Sequence, residues 1–176
     1  MVEISEITQV ARFEKVCLDA WKKDFAECFP GTTEQDAVEA YEHIQLPKRS
    51  TKGSAGYDFF MPVNQTISKY APKTIPTGIR VSILPGWFLG LIPRSGLGFR
   101  YGMRLENTFG CIDPDYYYAD NGGHILARLS TPTTFSLKVG DRFMQGVFMP
   151  FGITVDDEAD GERTGGFGST GGMGDA

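Results

Sequence analysis

Asp113 is the residue of this chain best placed to move a proton. It stands in the stretch ENTFGCIDPDYYYADNGG, where Asn107, Gly110, Ile112, Asp113, Asp115 and Tyr116 gather amide, carboxylate and phenol groups within ten residues. On a strand, Ile112 would face a core and Asp113 the opposite side, fixing a carboxylate at the mouth of a pocket, as a general base requires. A second group, Arg94-Ser95-Gly96, suits a phosphate. A guanidinium offers paired donors, while a hydroxyl and the N–H groups of a glycine turn approach an oxyanion closely. A third is the Gly-rich end RTGGFGSTGGMGDA, containing Arg163, Phe167, Gly168, Ser169 and Thr170. It has too little apolar surface to fold alone, and so is either a disordered terminus or an arm that orders on a ligand.

These groups need a rigid frame, and the texture of the chain predicts a β one. Apolar residues at positions 7, 10, 13, 17, 20 or 21, 25 and 28 recur at three- and four-residue steps, which predicts an amphipathic helix over 5–29, started by Ser5 and stopped at Pro30-Gly31. A second, shorter helix is expected from Thr32 or Thr33 to about His43, with Thr32 and Gln35 as a capping box. The turn-rich segment 47–53 marks a boundary. Beyond it, β-branched and aromatic runs at 57–60, 66–70, 77–83, 87–92, 104–107, 125–129, 134–137 and 142–150 are separated by Pro and Gly. Such punctuation predicts an all-β, jelly-roll-like barrel or sandwich. The stretch 106–130 itself is expected to form a β-hairpin, turning at Asn121-Gly122-Gly123. The expected organisation is a helical N-terminal extension at 1–46, a β domain at 47–155 and a C-terminal arm at 156–176. The amphipathic extension is expected to pack on the β core.

Composition narrows the classes. The chain has 176 residues, 41% apolar and 22% charged, which suits one domain with a real core. A net charge of -5 without a basic run argues against nucleic-acid binding. No apolar run is long enough for a membrane helix, and the first residues lack a signal-peptide pattern, so the expected location is cytoplasmic with no membrane partner. Cys17, Cys28 and Cys111 are odd in number and lack C-x-x-C spacing, so free, mostly buried thiols are expected rather than disulfides or a zinc site. An acidic chain can still hold a polyphosphate through a few Arg side chains, glycine-loop N–H groups and a divalent ion carried by the ligand.

Five segments stand in order: Ala55-Gly56-Tyr57-Asp58, Pro93-Arg94-Ser95-Gly96-Leu97, the stretch around Asp113, Gly140-Asp141-Arg142-Phe143-Met144-Gln145, and the segment 163–170. Together they resemble the five motifs of the trimeric dUTPase family. The resemblance covers about 54–171 and leaves the helical extension unmatched. It implies hydrolysis of dUTP to dUMP and pyrophosphate, with Asp113 activating water for attack on the α-phosphorus and Asp58 as a second catalytic carboxylate. It further implies that Arg94, Ser95, Gly96 and Gln145 meet the phosphates, and that Asn107 and the backbone of Gly110 and Ile112 read uracil. Tyr116 would lie under the deoxyribose and exclude a 2′-hydroxyl. Arg163, Gly168, Ser169 and Thr170 would close on the outer phosphates and Phe167 on the base. Mg2+ would ride on the triphosphate, and a homotrimer would share its sites. Here the sequence departs from the pattern: Tyr116-Tyr117-Tyr118 and the added Ala119-Asp120-Asn121 lengthen the loop.

The same Ile-Asp-Pro and Gly-His-Ile wording resembles the dCTP deaminases, so a deaminase or a bifunctional enzyme is the alternative. That family places a Glu three residues after the Ile. Here Arg128 stands there, which cannot shuttle protons. A nucleotide-sensing regulatory binder, with the helices contacting a partner, is the third reading.

Overall fold

A computed structural model describes residues 8–161 and 165. In chain order the elements are β1 (Ala11–Lys15), α1 (Leu18–Cys28), α2 (Glu34–Glu42), β2 (Lys48–Arg49), β3 (Tyr57–Phe60), β4 (Gln65–Ile67), β5 (Lys73–Pro76), β6 (Ile79–Ile83), β7 (Trp87–Pro93), α3 (Ser95–Tyr101), β8 (Arg104–Leu105), β9 (Gly110–Ile112), a 3-10 turn (Pro114–Tyr118), β10 (Leu126–Ser130), β11 (Phe135–Leu137) and β12 (Arg142–Pro150). The strands pair antiparallel throughout the described residues, in the orders β2-β3-β12-β7-β9, β5-β10-β8, β1-β6 and β11-β4. This is the mostly β architecture expected, with short strands wrapped around one interior. Long β12 is its spine: Gln145 faces Asp58 of β3 on one side and Ile92 of β7 on the other.

One apolar core joins the sheets to the N-terminal helices. Trp21, Phe25 and Phe29 pack with Ala37, Ala40, Phe59, Met61, Ile75, Ile79 and Ile125 in a single cluster, so the amphipathic face is buried on the β core as expected. The Trp21 indole N–H, which burial would otherwise leave unsatisfied, donates to the Ala37 carbonyl at 2.7 Å.

Several expectations need correction. The predicted helix over 5–29 is a strand followed by a helix. Residues 11–15 pair with β6, Ala11 opposite Ile83 and Lys15 opposite Ile79, and the helix begins only at Leu18 after Cys17. Phe13 fits both periods, and the open edge of β6 decides between them. Ser5, the proposed cap, lies outside the described residues. The capping box of α2 is Thr33 with Asp36, not Thr32 with Gln35. The Thr33 hydroxyl accepts from the Asp36 N–H at 3.1 Å, and the Asp36 carboxylate accepts from the Thr33 N–H at 2.7 Å.

The stretch 106–130 is not a hairpin. β9 pairs with β7 and β10 with β5 and β8, so its two strands lie in different sheets. The intervening chain is too long for a tight turn and is filled by the 3-10 turn and the Asn121 loop. Thiols are less buried than expected. Cys17 and Cys111 are exposed and Cys28 is intermediate, with burial pushing its thiol up to about 11. No helix among the described residues is long and apolar enough to cross a membrane.

Candidate active site

Two polar centres stand along β7. The first is built around Asp58. Strand alternation turns its carboxylate to the face shared by Gln145, and it is 4% exposed. Its Oδ2 accepts from Arg142 Nη1 at 3.2 Å, its Oδ1 accepts from Gln145 Nε2 at 3.1 Å, and Arg94 Nε lies 3.6 Å from Oδ1. One carboxylate thus holds two guanidiniums and an amide in register while leaving the group with net positive charge. Gly56 permits the packing, since a Cβ there would lie 3.2 Å from the Gln145 side-chain oxygen. Arg94 is the residue before α3, and Ser95 and Gly96 open that helix. In the first helical turn backbone N–H groups lack intrahelical acceptors, so Ser95 and Gly96 bring donors beside the guanidiniums. No helix was expected in this stretch, because SGLGFRY carries two weak helix formers. Sequence reasoning also passed over Arg142, whose place within the fourth motif was the available signal.

The second centre surrounds Asp113. β9 ends at Ile112, which is 5% exposed and faces the core. Asp113 follows in extended conformation, φ -80° and ψ 160°, partly exposed at the start of the 3-10 turn. The Cys111 thiol donates to Asp113 Oδ1 at 3.4 Å, a contact sequence reasoning missed. Beside it opens a cavity of about 630 Å³ whose lining includes Asn107, Gly110, Ile112 and Tyr116 with the charged Glu106 and Arg128. Asn107 does not continue a strand as expected; it enters a tight turn, where the Phe109 N–H reaches the Asn107 carbonyl at 2.6 Å and Thr108 takes φ 64°. A β-branched residue rarely adopts that region. Gly110 is required by close packing, for a Cβ would fall 3.0 Å from Leu91 Cβ.

Tyr116 forms one wall of this cavity and is 3% exposed. Its hydroxyl donates to the His124 carbonyl at 2.8 Å, and the Asn121 amide donates to both that hydroxyl and that carbonyl at 2.9 Å. The inserted residues therefore lock the ring, leaving Gly110 and Ile112 in their strand register.

Asn107, Gly110, Ile112, Tyr116 and Asp113 come together in one chain, as do Asp58, Arg94, Ser95, Gly96 and Gln145. Asp113 and Arg94, however, do not come together. Ile112 pairs with Leu89 near the start of β7, while Arg94 and Ser95 follow its last residue, Pro93. At ~3.3 Å per residue this places Asp113 and Arg94 roughly 20 Å apart. Arg163, Phe167, Gly168, Ser169 and Thr170 lie outside the described residues.

Comparison with known proteins decides the family. The family model for dUTPase matches residues 42–171. The chain belongs to the dUTPase family. It is 43% identical over 136 residues to the deoxyuridine 5′-triphosphate nucleotidohydrolase of Lactococcus lactis, covering 73% of this chain and 89% of that one. A crystal structure of the Streptococcus mutans dUTPase superposes with a TM-score of 0.58 at 40% identity, over 64% of this chain and 90% of that one. A mutant dUTPase from phage phi11 of S. aureus, described for the coordination of a structural Mg(II) ion, has the same fold, with a TM-score of 0.58 at 21% identity over 68% and 92%. The family match begins at residue 42, after β1 and α1.

Proposed function

We propose that the chain carries out its family's reaction, hydrolysis of dUTP to dUMP and pyrophosphate, at sites assembled from more than one chain. The observation that carries this reading is the division of labour along β7. Asp113 follows β9 level with the start of β7, beside the cavity that Asn107 and Tyr116 line, and the arginine-rich, Ser-Gly phosphate cradle follows the last residue of β7. Roughly 20 Å is too far for one α-phosphate to meet both Asp113 and Arg94 in a single chain, which supports a homotrimer pairing the cavity of one subunit with the cradle of another.

In the assembled site uracil enters the cavity against Asn107 and the backbone of Gly110 and Ile112, and the deoxyribose lies on Tyr116, whose ring leaves a 2′-hydroxyl neither space nor partner. The Asp113 carboxylate takes a proton from water as its oxygen attacks the α-phosphorus. The P–O bond to the β-phosphate breaks, and pyrophosphate leaves with the electron pair. Arg94, Ser95, Gly96 and Gln145 hold the phosphates. Asp58, both of whose oxygens are engaged, orients Arg94 and Gln145 for that role. Arg163, Gly168, Ser169 and Thr170 close on the outer phosphates and Phe167 on the base.

Mg2+ fits this arrangement as an ion bound through triphosphate oxygens. Asp58 is committed to cations of the protein itself, and the described residues contain no cluster of three His, Cys, Asp or Glu side chains able to cage a metal. When bound, the ion would supply positive charge against the phosphate oxygens.

The test is pyrophosphate and ammonia release from dUTP and each of the four standard dNTPs, with light scattering on the same sample. dUTP alone should yield pyrophosphate, from a particle three times the 19.4 kDa chain mass. Ammonia from dCTP would establish the deaminase reading. Binding of dUTP without product would establish a nucleotide sensor, and a monomer would remove the shared site.

A further inference from the structure

We propose that the N-terminal segment belongs to the nucleotide site. Asp24, acting through His124 and together with Asn121, is a positioning residue that fixes Tyr116 and so sets the preference for a deoxyribose over a ribose. The proposal rests on the sugar-binding role given above to Tyr116.

His124 is fully buried, and Asp24 of α1 is 6% exposed. The imidazole is held at both nitrogens: Nε2 accepts from the Gly78 N–H at 2.8 Å, and Nδ1 lies 2.5 Å from Asp24 Oδ2. A backbone N–H can only donate, so Nε2 presents its lone pair and the ring proton sits on Nδ1, directed at the Asp24 carboxylate. Trp21, three residues before Asp24 on the same helix face, packs its ring 5.9 Å from the imidazole. The side chain of His124 is thus fixed by α1 while its carbonyl fixes Tyr116, receiving the phenol at 2.8 Å and the Asn121 amide at 2.9 Å. Any shift of His124 moves the tyrosine hydroxyl with it.

An independent contact braces the same loop. Glu14 of β1 accepts from the Tyr117 hydroxyl and from Arg80 Nη2, both at 2.9 Å, and the Arg80 guanidinium lies 4.3 Å from the centre of the Tyr117 ring. The Tyr117 bond and Arg80 hold the Glu14 carboxyl below its usual range against the opposing effect of burial. Asp24 and Glu14 both precede residue 42, where the family match begins. The lengthened loop and the segment before residue 42 therefore form one unit, in which each supplies the other's polar partners.

The experiment compares kcat and KM for dUTP and UTP, by pyrophosphate release, in the parent and in Asp24→Ala, Asp24→Asn, Asn121→Ala and Tyr116→Ala, with thermal melting of each. A loosened ring admits the 2′-hydroxyl, so Asp24→Ala and Asn121→Ala should each lower the dUTP/UTP ratio of kcat/KM by about tenfold or more, chiefly through KM. Asp24→Asn keeps an oxygen to accept the Nδ1 proton and should stay near the parent ratio. A fall in melting temperature with the ratio unchanged in both alanine variants would overturn the proposal and leave these residues purely structural. If Asp24→Ala does not fold, the ratio in Asn121→Ala decides. Tyr116→Ala separates the two layers: a ratio unchanged there defeats the sugar-binding role itself, whereas a ratio lowered only there defeats the positioning proposal alone.

Discussion

Replacing Asp58 by Asn keeps the volume of the side chain and removes the charge on which the phosphate cradle is built. Three partners are affected: Arg142 at 3.2 Å, Gln145 at 3.1 Å and Arg94 at 3.6 Å. The first two are hydrogen bonds; the third, at its distance, is a Coulomb contact only. Hydrogen bonds involving a charged group contribute about 1.5–3 kcal/mol each, and removing one member of a fully buried pair costs about 3–5 kcal/mol. Here the Arg94 and Arg142 side chains are 33% and 38% exposed, so water recovers part of the loss. An asparagine also points an amide donor at other donors. The net cost works out at about 2–3 kcal/mol, which for a chain of this length lowers the melting temperature by about 5–10 °C. Arg94 and Gln145 lose their common anchor, so kcat/KM for dUTP should fall about 100-fold. Thermal melting and steady-state pyrophosphate release on the same preparations provide the two readouts. A melting temperature within about 1 °C of the parent and kcat/KM within about threefold would show that the carboxylate organises nothing.

Asp113→Asn should lower kcat by about 10²–10⁴ while dUTP binding, followed by calorimetry, is retained, because the charge acts on the water; turnover within a few-fold of the parent would remove Asp113 from its role. Gly123→Ala should destabilise by about 2–4 kcal/mol, read by urea unfolding, since φ is +73° and the new Cβ would meet the Tyr117 carbonyl oxygen at 2.8 Å and Tyr117 Cα at 2.9 Å, backbone atoms that cannot swing aside. Truncation after Asp160 should leave the ligand-free melting temperature unchanged but sharply lower turnover, and Phe167→Ala should give part of the kinetic loss, about 1–3 kcal/mol of base stacking. Normal turnover by the truncated chain would make the arm a passive terminus.

Where local pattern and tertiary pairing agree, the chain was readable in advance. β3, β7 and β12 are runs of β-branched and aromatic residues closed by Pro or Gly, and they lie within a residue of expectation. The motif residues also fall into two coherent centres, one on β3, β7 and β12 and the other around β9. What was not legible depended on partners distant in sequence. Residues 11–15 fit both a helical and a strand period and become a strand because β6 offers them an edge. β9 and β10 flank a glycine turn that reads as a hairpin, yet each finds a different neighbour. Asp24 and His124 are a hundred residues apart and belong to no common motif, so only the fold brings carboxylate and imidazole together. The separation of Asp113 from Arg94 was equally hidden, because motif order carries no distance.

That separation also supplies the most direct test of the central claim, that the base and the phosphate cradle serving one nucleotide come from different subunits. Asp113→Asn and Gln145→Ala chains, each nearly inactive alone, are unfolded together, refolded as a mixture and assayed for pyrophosphate release from dUTP. In randomly mixed trimers a site that takes its base from one subunit and its cradle from another has both residues intact about a quarter of the time. Activity should therefore rise to about a quarter of the parent's. If the mixture is no more active than its two components, each site is built within one chain and the account of the active site is wrong.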